Sequence, residues 1–191
     1  MRSLFVVMFW MLAGSAYGGT DSEGRAVRPV AGHPVLDLRV GGDSTEGSHP
    51  TICLAGYPLA RVSLEACGTG SGILHHDSAP DLAHFRGRFT LLQAEGRTTD
   101  LSLMAGAGFA EVQRTADRPG FKFGAPTEPE PVEAAGPEVS ASVQGRYWFL
   151  PKAYAIADVN AGVAAIPGAP AVLGHGGAAV PFASVTVGMG F

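Results

Sequence analysis

Cys53 and Cys67 are the two cysteines of the chain. They flank a short stretch, Tyr57–Leu59, and stand at equal distances from Ala60. A β-hairpin turning there sets them opposite each other, and a disulfide is the expected state in an oxidising compartment; a pair of free thiols is the alternative. No His stands near either at ligand spacing, so zinc is not indicated. The run His75-His76-Asp77 is the other grouping of metal-ligating types. Adjacent side chains on an extended segment point opposite ways, so this run does not form a shared metal site. No phosphate-binding loop or metalloprotease motif is present. Neither a metal nor a cofactor is expected, and no side chain is assigned a catalytic role.

The remaining reactive side chains are charged residues set into apolar alternation. Asp37, Arg39, Arg61, Glu65, His84, Arg86, Arg88, Glu138, Gln144, Arg146 and Asp158 fall on one face of their respective segments. In Ala83–Gln93, Phe85, Gly87, Phe89 and Leu91 share one face, and His84, Arg86, Arg88 and Thr90 the other. Alternation of this kind is the mark of a strand between two different environments. If the charged faces line a narrow closed sheet, the charges must pair, because an unpaired buried charge is costly. That gives a salt-bridged plug. The competing reading, an anion path past Arg86 and Arg88, needs room that a side-chain-filled lumen does not have.

The elements that would hold these residues follow from the whole chain. Its 191 residues fit one domain or a small pair. Charged residues are 16% of the total and hydrophobic residues 46%, which argues against disorder. A net charge of −4 argues against nucleic acid as a partner. Met1-Arg2-Ser3, the apolar run Leu4–Leu12 and a small-residue tail read as a secretory signal peptide over 1–19. Residues 20–34 read as a flexible lead, and residues 35–191 as the folded domain. Eight strands are expected: Val35–Gly41, Thr51–Gly56, Ala60–Gly68, Ala83–Gln93, Asp100–Val112, Glu138–Leu150, Ala153–Ala165 and Pro181–Phe191. In the seventh, the face carrying Asp158 is turned inward, together with Ile156. The gaps between strands alternate strictly between short and long. In an antiparallel meander this places tight turns at one end and long loops at the other, which is the asymmetry of outer-membrane barrels. Phe85, Phe109 and Phe182 fall near the long-loop end, and Tyr147, Phe149 and Phe191 near the short-turn end, as two aromatic girdles. The fold expected is all-β: an eight-stranded antiparallel up-and-down transmembrane β-barrel. A soluble barrel of lipocalin type, with an apolar inside, is the inverted alternative.

The leader, the eight-strand spacing and the ending Ala183-Ser184-Val185-Thr186-Val187-Gly188-Met189-Gly190-Phe191 together resemble the small outer-membrane β-barrel proteins of the OmpA/OmpX type. The resemblance implies that Val185, Val187, Met189 and Phe191 form the terminal signal read by the barrel-assembly machinery. It also implies outer-membrane lipid as the surroundings, with location in the outer membrane of a Gram-negative-type bacterium after export.

The function expected is non-catalytic: a structural or surface-interaction barrel with short periplasmic turns and long extracellular loops. The loop at 113–137 is the candidate surface for an extracellular partner, with Arg114, Lys122, Phe121, Phe123 and the run Glu128-Pro129-Glu130-Pro131. Two alternatives stand beside it. One is an outer-leaflet lipid-modifying enzyme, although Ser140 and Ser184 fall on inward faces and no His-x-Ser stands near the final strands. The other is a soluble periplasmic barrel that binds a small apolar ligand.

Overall fold

The computed structural model describes residues 34–44, 50–69, 80–114, 120–124, 131–174 and 176–191. Strand formation follows the alternation in the sequence. The strands are β1 (Leu36–Asp43), β2 (Thr51–Leu59), β3 (Val62–Gly68), β4 (Asp81–Glu95), β5 (Thr99–Gln113), β6 (Glu133–Leu150), β7 (Ala153–Ala165) and β8 (Ala179–Gly190). Each pairs antiparallel with its sequence neighbour, and β8 returns to β1, so the sheet is a closed up-and-down barrel. Closure removes the free edges that an open sheet would expose.

The two faces differ in the sense the alternation requires. Leu38, Val40, Leu54, Leu64, Leu101, Leu103, Val139, Val143, Val185 and Val187 point outward and are exposed. Asp37, Arg39, Glu65, His84, Arg86, Arg88, Glu138, Gln144, Arg146, Asp158 and Asn160 point inward and are buried. The β1–β8 seam closes tightly at Gly188, where a Cβ would lie 2.7 Å from the Arg39 Cα. At Gly162 a Cβ would lie 2.5 Å from the ring of Phe182, so the glycine makes room for an aromatic inside the barrel.

Four expectations are corrected. The hairpin between β2 and β3 turns at Ala60 and Arg61, because β2 runs on to Leu59 with a register shift after Gly56. Arg61 is therefore exposed at the turn and does not enter the lumen. Phe182 shares the parity of Ser184 and Thr186; it points inward and is buried, so it does not belong to an outer girdle. β6 begins at Glu133 rather than Glu138, which shortens the preceding loop by one strand end. The connection after β7, expected as plain loop, contains a helix, α1 (Ala169–Leu173). Pro170 stands in its first turn, where a missing N–H costs nothing, and Gly174 ends it at φ 78°. The leader over 1–19, most of the lead over 20–34 and His75-His76-Asp77 lie outside the described residues.

Candidate functional site

The lumen has three layers, and each is built from the inward parity of the strands. At the long-loop end, Leu82, Ala110, Val112, Ala134, Ala164 and Phe182 turn inward. Ile166, Ala169 and Val172, from the β7–β8 connection and α1, pack down onto them. This mouth is closed by an apolar plug. At the short-turn end, Trp148, Tyr154 and Ile156 form a second cluster, with the Trp148 and Tyr154 rings 4.7 Å apart. Trp148 Nε1 donates to Asp100 at 2.8 Å, which satisfies the one polar atom of the indole.

Between the two apolar layers lies a continuous ionic lattice. Glu65 is its centre. Its carboxylate accepts from Arg86 at 2.6 Å and Arg88 at 2.6 Å, and from Arg39 as well. Arg88 continues to Asp158 at 2.5 Å and to the Ser142 hydroxyl. Arg39 also donates to Asp37 at 2.8 Å and lies 3.4 Å from Asp158. Gln144 donates to Asp158 at 3.2 Å, and Tyr57 donates to Asp37 at 2.5 Å. His84 Nδ1 lies 2.6 Å from Glu138, and Arg86 lies 3.7 Å from the same carboxylate. Arg146 donates to Gln144 and rests over the rings of Tyr57, at 4.9 Å, and Tyr154, at 5.6 Å.

The charges balance. Arg39, Arg86, Arg88 and Arg146 face Asp37, Glu65, Glu138 and Asp158, all buried. A buried ion is tolerated when it is paired and its remaining hydrogen-bonding positions are filled. Of the sequence-expected lumen residues, Arg39, Glu65, His84, Arg86, Arg88, Glu138 and Arg146 come together here, and Arg61 does not. The sequence reading missed Tyr57, because it placed that residue in the turn. The continued alternation past Gly56 was the signal that would have found it.

The lattice contains one base-and-orienter pair, His84 and Glu138. His84 packs on Phe182 with ring centroids 4.3 Å apart, deep inside the wall. A nucleophilic relay needs a hydroxyl or thiol on the base and access for substrate. Among the described residues, His84 meets the Glu138 carboxylate and the Phe182 ring. Among the described residues, no group of three or more His, Cys, Asp or Glu side chains is placed to hold a metal ion.

Cys53 and Cys67 face each other across β2 and β3 and are joined by a disulfide on the lumen side. The bond closes a loop with a sequence separation of 14. Constraining the unfolded chain over a loop of that size is worth about 3 kcal/mol. The double variant C53A/C67A is therefore expected to lose about that much stability in denaturant titration. A loss below about 0.5 kcal/mol would show that the disulfide adds nothing to the closed sheet.

The comparisons with known proteins follow from the barrel rather than from its sequence. No family model matches the chain, and no curated protein matches it. A structure that is similar is the crystal structure of the N-terminal β-barrel domain of Pseudomonas aeruginosa OprF. The alignment covers 82% of this chain and 96% of that one, at 12% identity and a TM-score of 0.45. The terminal residues of the expected assembly signal lie on β8 and just beyond it. Val185, Val187, Met189 and Phe191 are exposed on the outer face, and Phe191 exchanges backbone hydrogen bonds with Leu36. This fastens the chain end to β1.

Proposed function

We propose that the protein is a non-catalytic barrel of the bacterial outer membrane, with a structural or surface-interaction role and a lumen that is closed. One observation carries the reading: the polarity of the wall is inverted relative to a soluble barrel. Charge is buried inside and aliphatic side chains are exposed around the outside. A soluble monomer seldom exposes a contiguous apolar patch beyond a few hundred Å². Here the exposed apolar residues recur on all eight strands, as a band does where the surroundings are hydrocarbon. Tyr147 and Phe149 mark the band toward the short turns, and Phe85 and Phe109 stack at 5.2 Å toward the long loops.

The interior supports the closed lumen. Eight strands enclose a space that side chains fill. Here that space holds an ionic lattice between an apolar plug and an aromatic plug. In this reading the short turns face the periplasm, and the loops after β1, β3, β5 and β7 face the exterior. The surroundings are outer-membrane lipid, and β8 is the segment the assembly machinery would engage. The connection between β5 and β6, at 114–132, supplies the surface for any extracellular partner.

Lipid A composition separates this reading from an outer-leaflet lipid-modifying enzyme. Deleting the gene is expected to leave the mass spectrum of lipid A unchanged. A gain or loss of an acyl chain on deletion, reversed by complementation, would replace the structural reading with the enzymatic one.

A further inference from the structure

Beyond the aromatic pair Phe85 and Phe109, the outer face of the tall wall β4–β6 changes character. Glu111 and Gln113 share the outward parity of Leu101, Leu103 and Ala107, and Glu133 shares that of Val139 and Val143. They are nevertheless buried: relative exposure is 0% for Glu111, 5% for Gln113 and 7% for Glu133. Gln113 and Glu133 are direct partners across β5 and β6, and Glu111 lies two residues along the same face.

Segment 120–124 covers them. The Gly120 and Phe121 N–H groups donate to Glu111 Oε1, at 3.2 and 2.8 Å. The Ala135 N–H donates to the Lys122 carbonyl at 2.7 Å. Phe121 packs edge-on against Phe85 at 5.2 Å and Phe109 at 5.6 Å. Phe121 takes φ 49°, a left-handed conformation that a bulky side chain seldom adopts. Both carboxylates converge on Gly120. Its N–H meets Glu111, and a Cβ there would lie 2.6 Å from Glu133 Oε2.

Three oxygens in this patch are buried and have no hydrogen-bond partner: Glu111 Oε2, Gln113 Oε1 and Glu133 Oε2. Gln113 Nε2 lies 3.5 Å from Asp81 on β4, which turns its amide oxygen away from Asp81; Glu133 is its cross-strand partner on the opposite side, on β6. Asp81 is itself engaged, by the Thr69 N–H at 3.2 Å. Lys122 Nζ lies 3.5 Å from Glu133 Oε1.

We propose that Glu111, Gln113 and Glu133 form a binding site for a hard divalent cation, Ca²⁺, that ties segment 120–124 to the outer wall at the long-loop end. Two carboxylates and an amide oxygen are oxygen donors of the kind Ca²⁺ takes, and they leave positions for water in its coordination of 6–8. Mg²⁺ demands a more regular octahedron and binds more weakly at such a site. This inference needs the fold alone and stands apart from the functional reading above.

The test is isothermal titration of CaCl₂ into the purified, chelator-treated full chain in detergent. One saturable site is expected. E111Q/E133Q should lower the affinity by at least roughly tenfold while keeping the gel mobility of the folded barrel. If that double variant does not fold, Gln113→Ala carries the same comparison, because it removes one neutral ligand and no charge. Absence of saturable binding would overturn the proposal. So would binding that survives in E111Q/E133Q, or a carboxyl NMR titration that shows the Glu111–Glu133 pair holding a proton at neutral pH with no response to Ca²⁺.

Discussion

Replacing Glu65 by Gln is expected to cost at least about 3–5 kcal/mol, enough to abolish or nearly abolish folding of the barrel. The reason is the number of partners. Arg39, Arg86 and Arg88 all donate to this one carboxylate. Removing one member of a buried pair leaves an uncompensated ion, and here the lumen is left with one excess positive charge among packed guanidinium groups. The amide keeps the volume, so the effect isolates charge from packing. In E65Q/R88M the charge balance is restored, and Asp158 retains Arg39 at 3.4 Å and Gln144 at 3.2 Å. An ion pair replaced as a unit by apolar or neutral groups is often tolerated. The double variant should therefore be more stable than E65Q alone. The measurement is urea unfolding in phospholipid vesicles, followed by tryptophan fluorescence. A double variant less stable than the single one would show that hydrogen-bond geometry, not charge balance, governs the lattice.

Val143→Arg is the second large effect. Val143 stands in the middle of the exposed band on β6, between Leu103 of β5 and Val159 of β7 at the same level. An arginine at mid-depth on a lipid-facing strand costs about 2–4 kcal/mol, and the cost falls to about 0–1 near the interfaces. Leu150→Arg, at the short-turn end of the same strand, should therefore be nearly neutral. On a water-facing surface both substitutions would lie within about 0.5 kcal/mol of zero. The depth profile of the pair, read by the same unfolding assay, is what lipid on the outside requires. Equal and small effects would place water there.

The parts of this fold that were legible before the structure share one property: two unlike environments across a single wall. In β5, β6 and β8 the outside takes Leu, Val and Ala and the lumen takes Ser, Gln, Thr and Arg, so a period of two is imposed on every residue. The alternating loop lengths come from the meander itself. What was not legible lies where that contrast weakens. Around Tyr57 to Arg61 the chain passes through a register shift into a two-residue turn, and the inward parity no longer predicts position. Arg61 is misplaced for that reason, whereas Tyr57 keeps the inward parity of Cys53 and Ala55 and is overlooked because the expected strand ends at Gly56. Pro167, Gly168 and Pro170 look like loop punctuation, yet Pro in the first turn and Gly174 past the last are also a short helix's natural limits. Burial by α1 then turns the mouth apolar. Phe182 is assigned outward by residue type although its parity with Ser184 points inward. The Glu111–Glu133 patch is hidden because the ladder between β5 and β6 runs past Pro137, so Gln113 and Glu133 fall beyond the expected strand ends and, with Glu111, lie under the returning segment 120–124.

The central claim is that the wall is inverted: lipid outside, charge inside. Gel mobility of the unheated and boiled protein, taken from separated outer-membrane and soluble periplasmic fractions, tests it most directly. A closed barrel in lipid resists unheated detergent and changes mobility only on boiling. The protein is expected to be confined to the outer-membrane fraction and to shift on heating. Recovery in the soluble fraction without a shift would contradict it and would turn attention to a water-soluble barrel with an apolar ligand.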